Sequence, residues 1–216
     1  MEVTHRIGAP LLIAVLVSSC ASSGSETEPR VVQPGAPGQA TRVLANAEAS
    51  EMERPTHGEA DVRFMQGMIP HHAQAIEMSD LVASRTDNAG IRLLARRIDI
   101  SQKDEIRLME RWLETRGEAL PSEATGHMRG GEHALMPGML TEDEMTELAA
   151  ARGAGFDRLF LEGMIAHHQG ALTMVGELFS SVGGGQETDV HRFASDVDAD
   201  QDMEIQRMRN MLNAVP

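Results

Sequence analysis

Asp61-Val-Arg-Phe64-Met-Gln-Gly67-Met68-Ile69-Pro70-His71-His72-Ala-Gln-Ala75-Ile76-Glu-Met78 recurs 96 positions later as Asp157-Arg-Leu-Phe160-Leu-Glu-Gly163-Met164-Ile165-Ala166-His167-His168-Gln-Gly170-Ala171-Leu172-Thr-Met174. The Asp, Phe, Gly, Met, Ile, both His, Ala and the final Met coincide, nine identities in 18 positions, a density that chance does not give. A second related segment follows each copy: Gln102-x-x-Glu105-Ile106-x-x-Met109, then Gln201-x-x-Glu204-Ile205-x-x-Met208. Both run on into apolar residues, Trp112-Leu113 and Met211-Leu212. Internal repetition at one fixed offset marks two like halves. Each half reads as a helical hairpin, and two such hairpins pack as a four-helix bundle.

The spacings are helical throughout. At roughly 100° per residue, Asp61, Phe64, Met68, His71, His72, Ala75 and Met78 fall in one stripe. Leu94, Ile98, Gln102, Glu105, Met109, Trp112 and Leu113 form another, and Val197, Gln201, Glu204, Met208 and Leu212 a third. Strand-like alternation is absent, so the fold class is all-α, with helices expected over about 60–85, 89–115, 155–181 and 188–213. The spelling Thr141-Glu-Asp-Glu144 is a capping box and predicts a short extra helix that stops near Gly153-Ala-Gly155. Pro70 falls inside the first motif helix, where it removes a backbone bond and usually kinks the chain. Ala166 stands there in the second copy, so the motif does not require a kink.

The beginning of the chain reads differently. Arg6, the short apolar run Leu11 to Val17, and then Ser18-Ser19-Cys20 suit a cleaved export signal over residues 1–19, too short to span a bilayer stably. The segment before Cys20 resembles the bacterial lipobox, which implies cleavage before Cys20, lipid on its thiol and amine, and an exported protein anchored to membrane and facing the periplasm or cell exterior. An ordinary signal peptide with an incidental Cys is the alternative. Residues 20–58, rich in Ser, Glu, Pro, Gly and Ala, read as a flexible tether, leaving 59–213 as one duplicated helical domain. Cys20 is the only cysteine, so the domain has no disulfide and no thiolate metal site. A net charge of −14 argues against nucleic acid as a partner. The unusual entries in the composition are 15 Met and 9 His beside only six aromatic residues (five Phe, one Trp).

Neighbouring helix residues differ by about 100°, so one of two adjacent His normally turns away from a core. Here the stripe axis falls between them, and both flank Met68 or Met164 at the i+3 and i+4 positions. Met68, His71, His72 and Met78, with Met164, His167, His168 and Met174, are therefore candidate metal ligands. Imidazole nitrogen with thioether sulfur is a soft to borderline donor set that favours copper over oxygen-seeking ions. Gln102, Glu105, Gln201 and Glu204 lie inside apolar stripes, and a buried carboxylate needs a partner. A Glu accepting from an imidazole N–H would fix the ring's tautomer and leave the other nitrogen for metal. A purely structural His–Glu core pair predicts the same contact without metal. Asp61 and Asp157 are either further ligands or helix N-caps, and capping is the preferred reading. His127, Met128, His133, Met136 and Met139 crowd one Gly- and Pro-rich segment, either a second exposed metal site or a coincidence of the linker.

At these residues the chain resembles the family called domain of unknown function 305. The shared features are Phe64 to Met78, Gln102 to Met109, Met136-Pro137-Gly138-Met139 and Phe160 to Met174, and the likeness covers roughly residues 59–213. It implies a ferritin-like four-helix bundle and an exported copper-binding protein connected with copper tolerance. The second copy departs from the pattern with Ala166 for Pro and with Gly170 beside the His pair, expected to loosen that site relative to the first. The reading is a copper-buffering protein rather than an enzyme, with copper as its ion. Two alternatives stand beside it: a metal-free structural or interaction module with His–Glu core pairs, and a ferritin-like di-metal oxidase. The oxidase site calls for Glu-x-x-His on two helices. Glu105 is followed at i+3 by Leu108 and Glu204 by Arg207, so that spelling is absent.

Overall fold

The computed structural model describes residues 31–33, 40–44, 56–121 and 135–215. The chain divides into two compact units, Met1–Glu53 and Arg54–Pro216. Cys20, His127, Met128 and His133 lie outside the described residues, as does the proposed signal segment. Among the described residues no helix is long and apolar enough to cross a membrane.

In the first unit Val31–Gln33 (β1) pairs antiparallel with Arg42–Leu44 (β2), Val32 opposite Val43. The sequence reading expected no strand in this stretch. β-branched residues on both sides of Pro34-Gly35-Ala36-Pro37-Gly38 supply the strand preference that the surrounding polar composition obscures.

The second unit is all-α among its described residues, with five helices: α1 (Glu59–Arg85), α2 (Ala89–Thr115), α3 (Glu142–Ala150), α4 (Gly153–Ser180) and α5 (Thr188–Leu212). Two of the four long helices start at side-chain caps. The Asn88 side chain accepts from Gly90 and Ile91 N–H, and Glu187 accepts from Asp189 and Val190 N–H. Thr141 and Glu144 form the reciprocal capping box at α3. α1 runs without interruption through Pro70.

Connections of three residues between α1 and α2 and seven between α4 and α5 make each half an antiparallel hairpin. Contacts between α1 and α4 join the two hairpins, with α3 against both. The motif's glycines explain the closeness of that seam. A Cβ at Gly163 would meet Met78 Cε at 3.2 Å, and one at Gly67 would meet Met174 Cε at 3.3 Å. Each copy's Gly is thus a socket for the other copy's last Met, a reciprocity that only a two-fold-like crossing of α1 and α4 produces.

The same crossing divides the core. Phe64, Met68 and Met174 belong to one apolar cluster with Trp112 and Phe193. Met78, Phe160 and Met164 belong to another with Ile98 and Met208. Burying each such side chain contributes about 1.5–3 kcal/mol. Along α1 the His pair lies between a residue of the first cluster, Met68, and one of the second, Met78; along α4 the order is reversed. All four imidazoles therefore occupy one polar layer between two apolar halves.

Candidate metal centre

His71, His72, His167 and His168 are fully buried. The rings of His71 and His167, one from each copy, lie 3.9 Å apart centre to centre, and each has its own neighbour at 6.4 or 6.3 Å. The two copies therefore build one cluster, not two remote sites.

All four rings bond through the same nitrogen. His72 Nε2 donates to Glu105 Oε2 at 2.6 Å, and His168 Nε2 to Glu204 Oε2 at 2.8 Å. These are the carboxylate partners expected on each second helix, where both Glu are half-buried, and Ser101 Oγ steadies Glu105 by donating to its Oε1 at 2.8 Å. His71 Nε2 donates to the Pro137 carbonyl at 3.0 Å, and His167 Nε2 to the His71 carbonyl at 2.9 Å. Carbonyl and carboxylate oxygens only accept, so in the neutral ring Nε2 holds the proton and Nδ1 is a bare lone pair. Among the described residues none of the four buried Nδ1 atoms has a hydrogen-bond partner, and neither has the buried Oε1 of Gln102 or Gln201. Six buried acceptors thus lack a donor, each at a cost of roughly 1–3 kcal/mol.

The electrostatics keep the central rings uncharged. Burial, then the neighbouring His72 and His168, push His71 down to about 3 against the opposing pull of the Pro137 carbonyl. Burial and the other three imidazoles push His167 well below its ordinary value, and its bond to the His71 carbonyl offsets only part of this. Burial raises the Glu105 carboxyl, but the hydrogen bonds from His72 and from the Ser101 hydroxyl outweigh it and hold the group below the usual carboxylate value.

The loop before α3 closes over the cluster. Gln74 grips Leu140 twice, Nε2 donating to its carbonyl at 2.8 Å and Oε1 accepting from its N–H at 2.8 Å. Gly138 takes a positive φ of 74°, and Gly170 lies so close beneath that a Cβ there would meet the Pro137 oxygen at 1.8 Å. Gly170 is therefore the seat of the loop that bonds His71, not the loosening of the second copy that the sequence suggested. Replacing Gly170 by Ala should destabilise the fold by about 3 kcal/mol, since backbone and not a flexible side-chain tip is in the way. Nothing lies within 4 Å of a Cβ at Gly176, so Gly176→Ala should stabilise by about 0.5–1 kcal/mol through helix preference. Urea unfolding of both variants checks the pair; equal midpoints would mean the loop does not seat on α4.

The other candidates take different places. Met68 and Met164 are buried within one turn of the His pairs. Met78 and Met174 are also largely buried but stand seven residues beyond the first His of each copy, about 10 Å along the axis, against the glycine of the opposite copy. Asp61 accepts from Gly58 N–H at 3.0 Å and from Gly185 N–H at 2.7 Å, so it ties the start of α1 to the turn between α4 and α5. Asp157 accepts from Asn88 Nδ2 at 3.3 Å, at the turn between α1 and α2. Both clamp one hairpin to the other's turn, and neither bonds an imidazole. Met136 reaches the Gly67 socket, whereas Met139 lines a separate surface cavity with Gln74 and Glu77. Pro137 was missed at the sequence level because a backbone carbonyl has no residue-type signature.

The donor set fits a soft or borderline cation: imidazole nitrogens left without a protein hydrogen bond among the described residues, tautomers fixed by Nε2 bonds, and the buried thioethers of Met68 and Met164 within one turn of the His pairs. Among the described residues no three His, Cys, Asp or Glu side chains converge tightly enough to hold an ion by themselves. An ion here would need a thioether or a small turn of the rings.

A duplicated all-α four-helix bundle with a central layer of His–Glu pairs is the class of protein that this fold and site define. The chain belongs to the family described as Domain of unknown function (DUF305), which it matches over residues 61–212. A DUF305 fragment from Deinococcus radiodurans has 31% identity and a TM-score of 0.65, covering 74% of this chain and 99% of that one. A DUF305 protein from Streptomyces coelicolor has 30% identity and a TM-score of 0.62 over 72% of this chain and 93% of its own. CopM in its Cu(II)-bound form has 27% identity and a TM-score of 0.58 over 71% of this chain and 96% of that one. CopM is also similar in its Cu(I)-bound form, at 26% identity and a TM-score of 0.57. An uncharacterized protein of Acanthamoeba polyphaga mimivirus is 45% identical over 56 residues, 26% of this chain and 37% of that protein.

Proposed function

We propose that this chain is a copper-binding protein of the cell envelope that holds the ion in the buried His layer and carries out no catalysis. The observation behind the reading is the set of four unpartnered Nδ1 lone pairs. A metal-free core would place the His–Glu bonds in the same way, but it gains nothing from leaving the other nitrogen of every ring bare. His71, His72, His167 and His168 would bind through Nδ1, with Met68 or Met164 completing the donors. Glu105, Glu204 and the Pro137 carbonyl would orient the rings and raise their basicity. Thioether with imidazole suits Cu(I) and tolerates Cu(II). Kinship with CopM, whose copper-bound forms share the fold, supports the choice of ion. The lipobox-like run before Cys20 supports export and a lipid anchor, with the intervening segment setting the domain away from the membrane. Equilibrium dialysis against micromolar free copper, followed by elemental analysis, should find metal retained in a fixed ratio to protein. Protein that emerges without copper would leave the His layer a structural device.

A further inference from the structure

Between α2 and α5 lies a cavity of about 280 Å³, lined by Ser101, Gln102, Glu105, Asp200, Gln201 and Glu204. It adjoins the His layer, because Glu105 and Glu204 bond His72 and His168 and also line it. Three carboxylates line one small space. Asp200 titrates above its ordinary value through partial burial and the nearness of Glu105, Glu204 and Asp196, with Arg97 opposing. Gln102 and Gln201 are 3% and 4% exposed, and each holds a buried Oε1 without a donor. Met203, 61% exposed, puts a thioether in the lining. At about 30 Å³ per water, the space suits a cation that still carries much of its hydration shell. No three acidic or His side chains here converge into a cage, so contact through water is the mode that fits.

We propose that this cavity is the port through which a hydrated cation is drawn to the bundle and passed toward the His layer, with Asp200 as its first electrostatic contact. The inference rests on the copper reading above and adds the route and the residues that set its rate. A cleft with a surplus of one sign of charge concentrates counter-ions and raises association rates, and here carboxylates outnumber guanidinium groups three to two. Arg97 and Arg207 also line the cavity and temper that field, so their removal has the opposite effect to removal of Asp200. Glu105 and Glu204 lie with one oxygen on an imidazole, where a cation shedding water would next meet the rings.

The test is stopped-flow mixing of the full domain with aqueous Cu(II) at low ionic strength, comparing parent, Asp200→Asn and Arg207→Gln. Both positions are exposed, so folding should persist. Asp200→Asn should slow association about fivefold and Arg207→Gln should speed it, with the final absorption spectrum unaltered. Both differences should shrink in 0.2 M salt, where the screening length falls below about 10 Å. Unchanged association rates in both variants would overturn the port while leaving the copper reading intact. A parent that binds no copper would overturn both, and a changed final spectrum would make Asp200 a ligand instead.

Discussion

Gln in place of both His71 and His167 should lower copper affinity at least about a hundredfold, measured by competition against a chelator of known strength. These rings meet at the centre of the cluster, 3.9 Å apart and tilted by 40°, so the pair of changes removes one donor from each copy. Loss of groups that merely orient metal-bound imidazoles already costs 10–100-fold, which makes that figure a floor. The fold should survive. Gln keeps an N–H that can reach the carbonyls of Pro137 and of residue 71, and each such bond contributes only about 0.5–1.5 kcal/mol net against a domain stability of about 5–15 kcal/mol. Circular dichroism and urea unfolding verify this before affinity is read. The companion Glu105→Gln and Glu204→Gln changes should weaken binding less, because the donors stay and only their orientation and basicity suffer. Undiminished affinity in the His double variant would move the metal elsewhere, to the Met- and His-rich segment before α3 first of all.

The fold was largely legible because it is written twice. A stripe at helical spacing, repeated with the same residues, fixes both the hairpin and its duplication, and the Thr141–Glu144 capping box marks a helix start by its own chemistry. The pairing of Glu105 and Glu204 with imidazoles followed from the cost of an unpartnered buried carboxylate. Other features escaped for reasons that can be named. A helical wheel discards rise along the axis, so Met78 entered as a candidate ligand on the same face as His71 although seven residues separate them. Gly67 and Gly163 were visible as identities, but their purpose needs the other copy's Met, a contact that no single segment contains. Gly170 looked like slack because its partner is the backbone of a loop. Asp200 sits off the apolar stripe and reads as an ordinary solvated acid until α2 and α5 are brought face to face around the cavity.

Acid should unfold the metal-free protein well before ordinary carboxylate titration would. His71 titrates near 3 in the fold and near 6.5 in an unfolded chain, so between those values the unfolded state binds the extra proton. Stability then rises with pH across this window, and lowering the pH from 7 to 5 costs about 2 kcal/mol from His71 alone. His167 is shifted in the same direction by burial and by the same neighbours, so it adds to the loss. For a domain of this size each kcal/mol moves Tm by about 2–4 °C, which makes a fall of about 4–8 °C from His71 the least to be expected. Thermal unfolding of the copper-free protein at pH 7, 6 and 5 measures it, and the His71→Gln and His167→Gln double variant should lose most of the slope. A Tm that stays level over this range in the parent would mean that the rings accept protons in the fold. The low value for His71 also bears on the site. A cation arriving at that ring between pH 7 and 5 displaces no proton from it, so the contribution of His71 to copper affinity should hold over a range in which an exposed His would lose its hold steadily. Burial of the two central rings thus costs the bundle acid tolerance while keeping protons off those two donors.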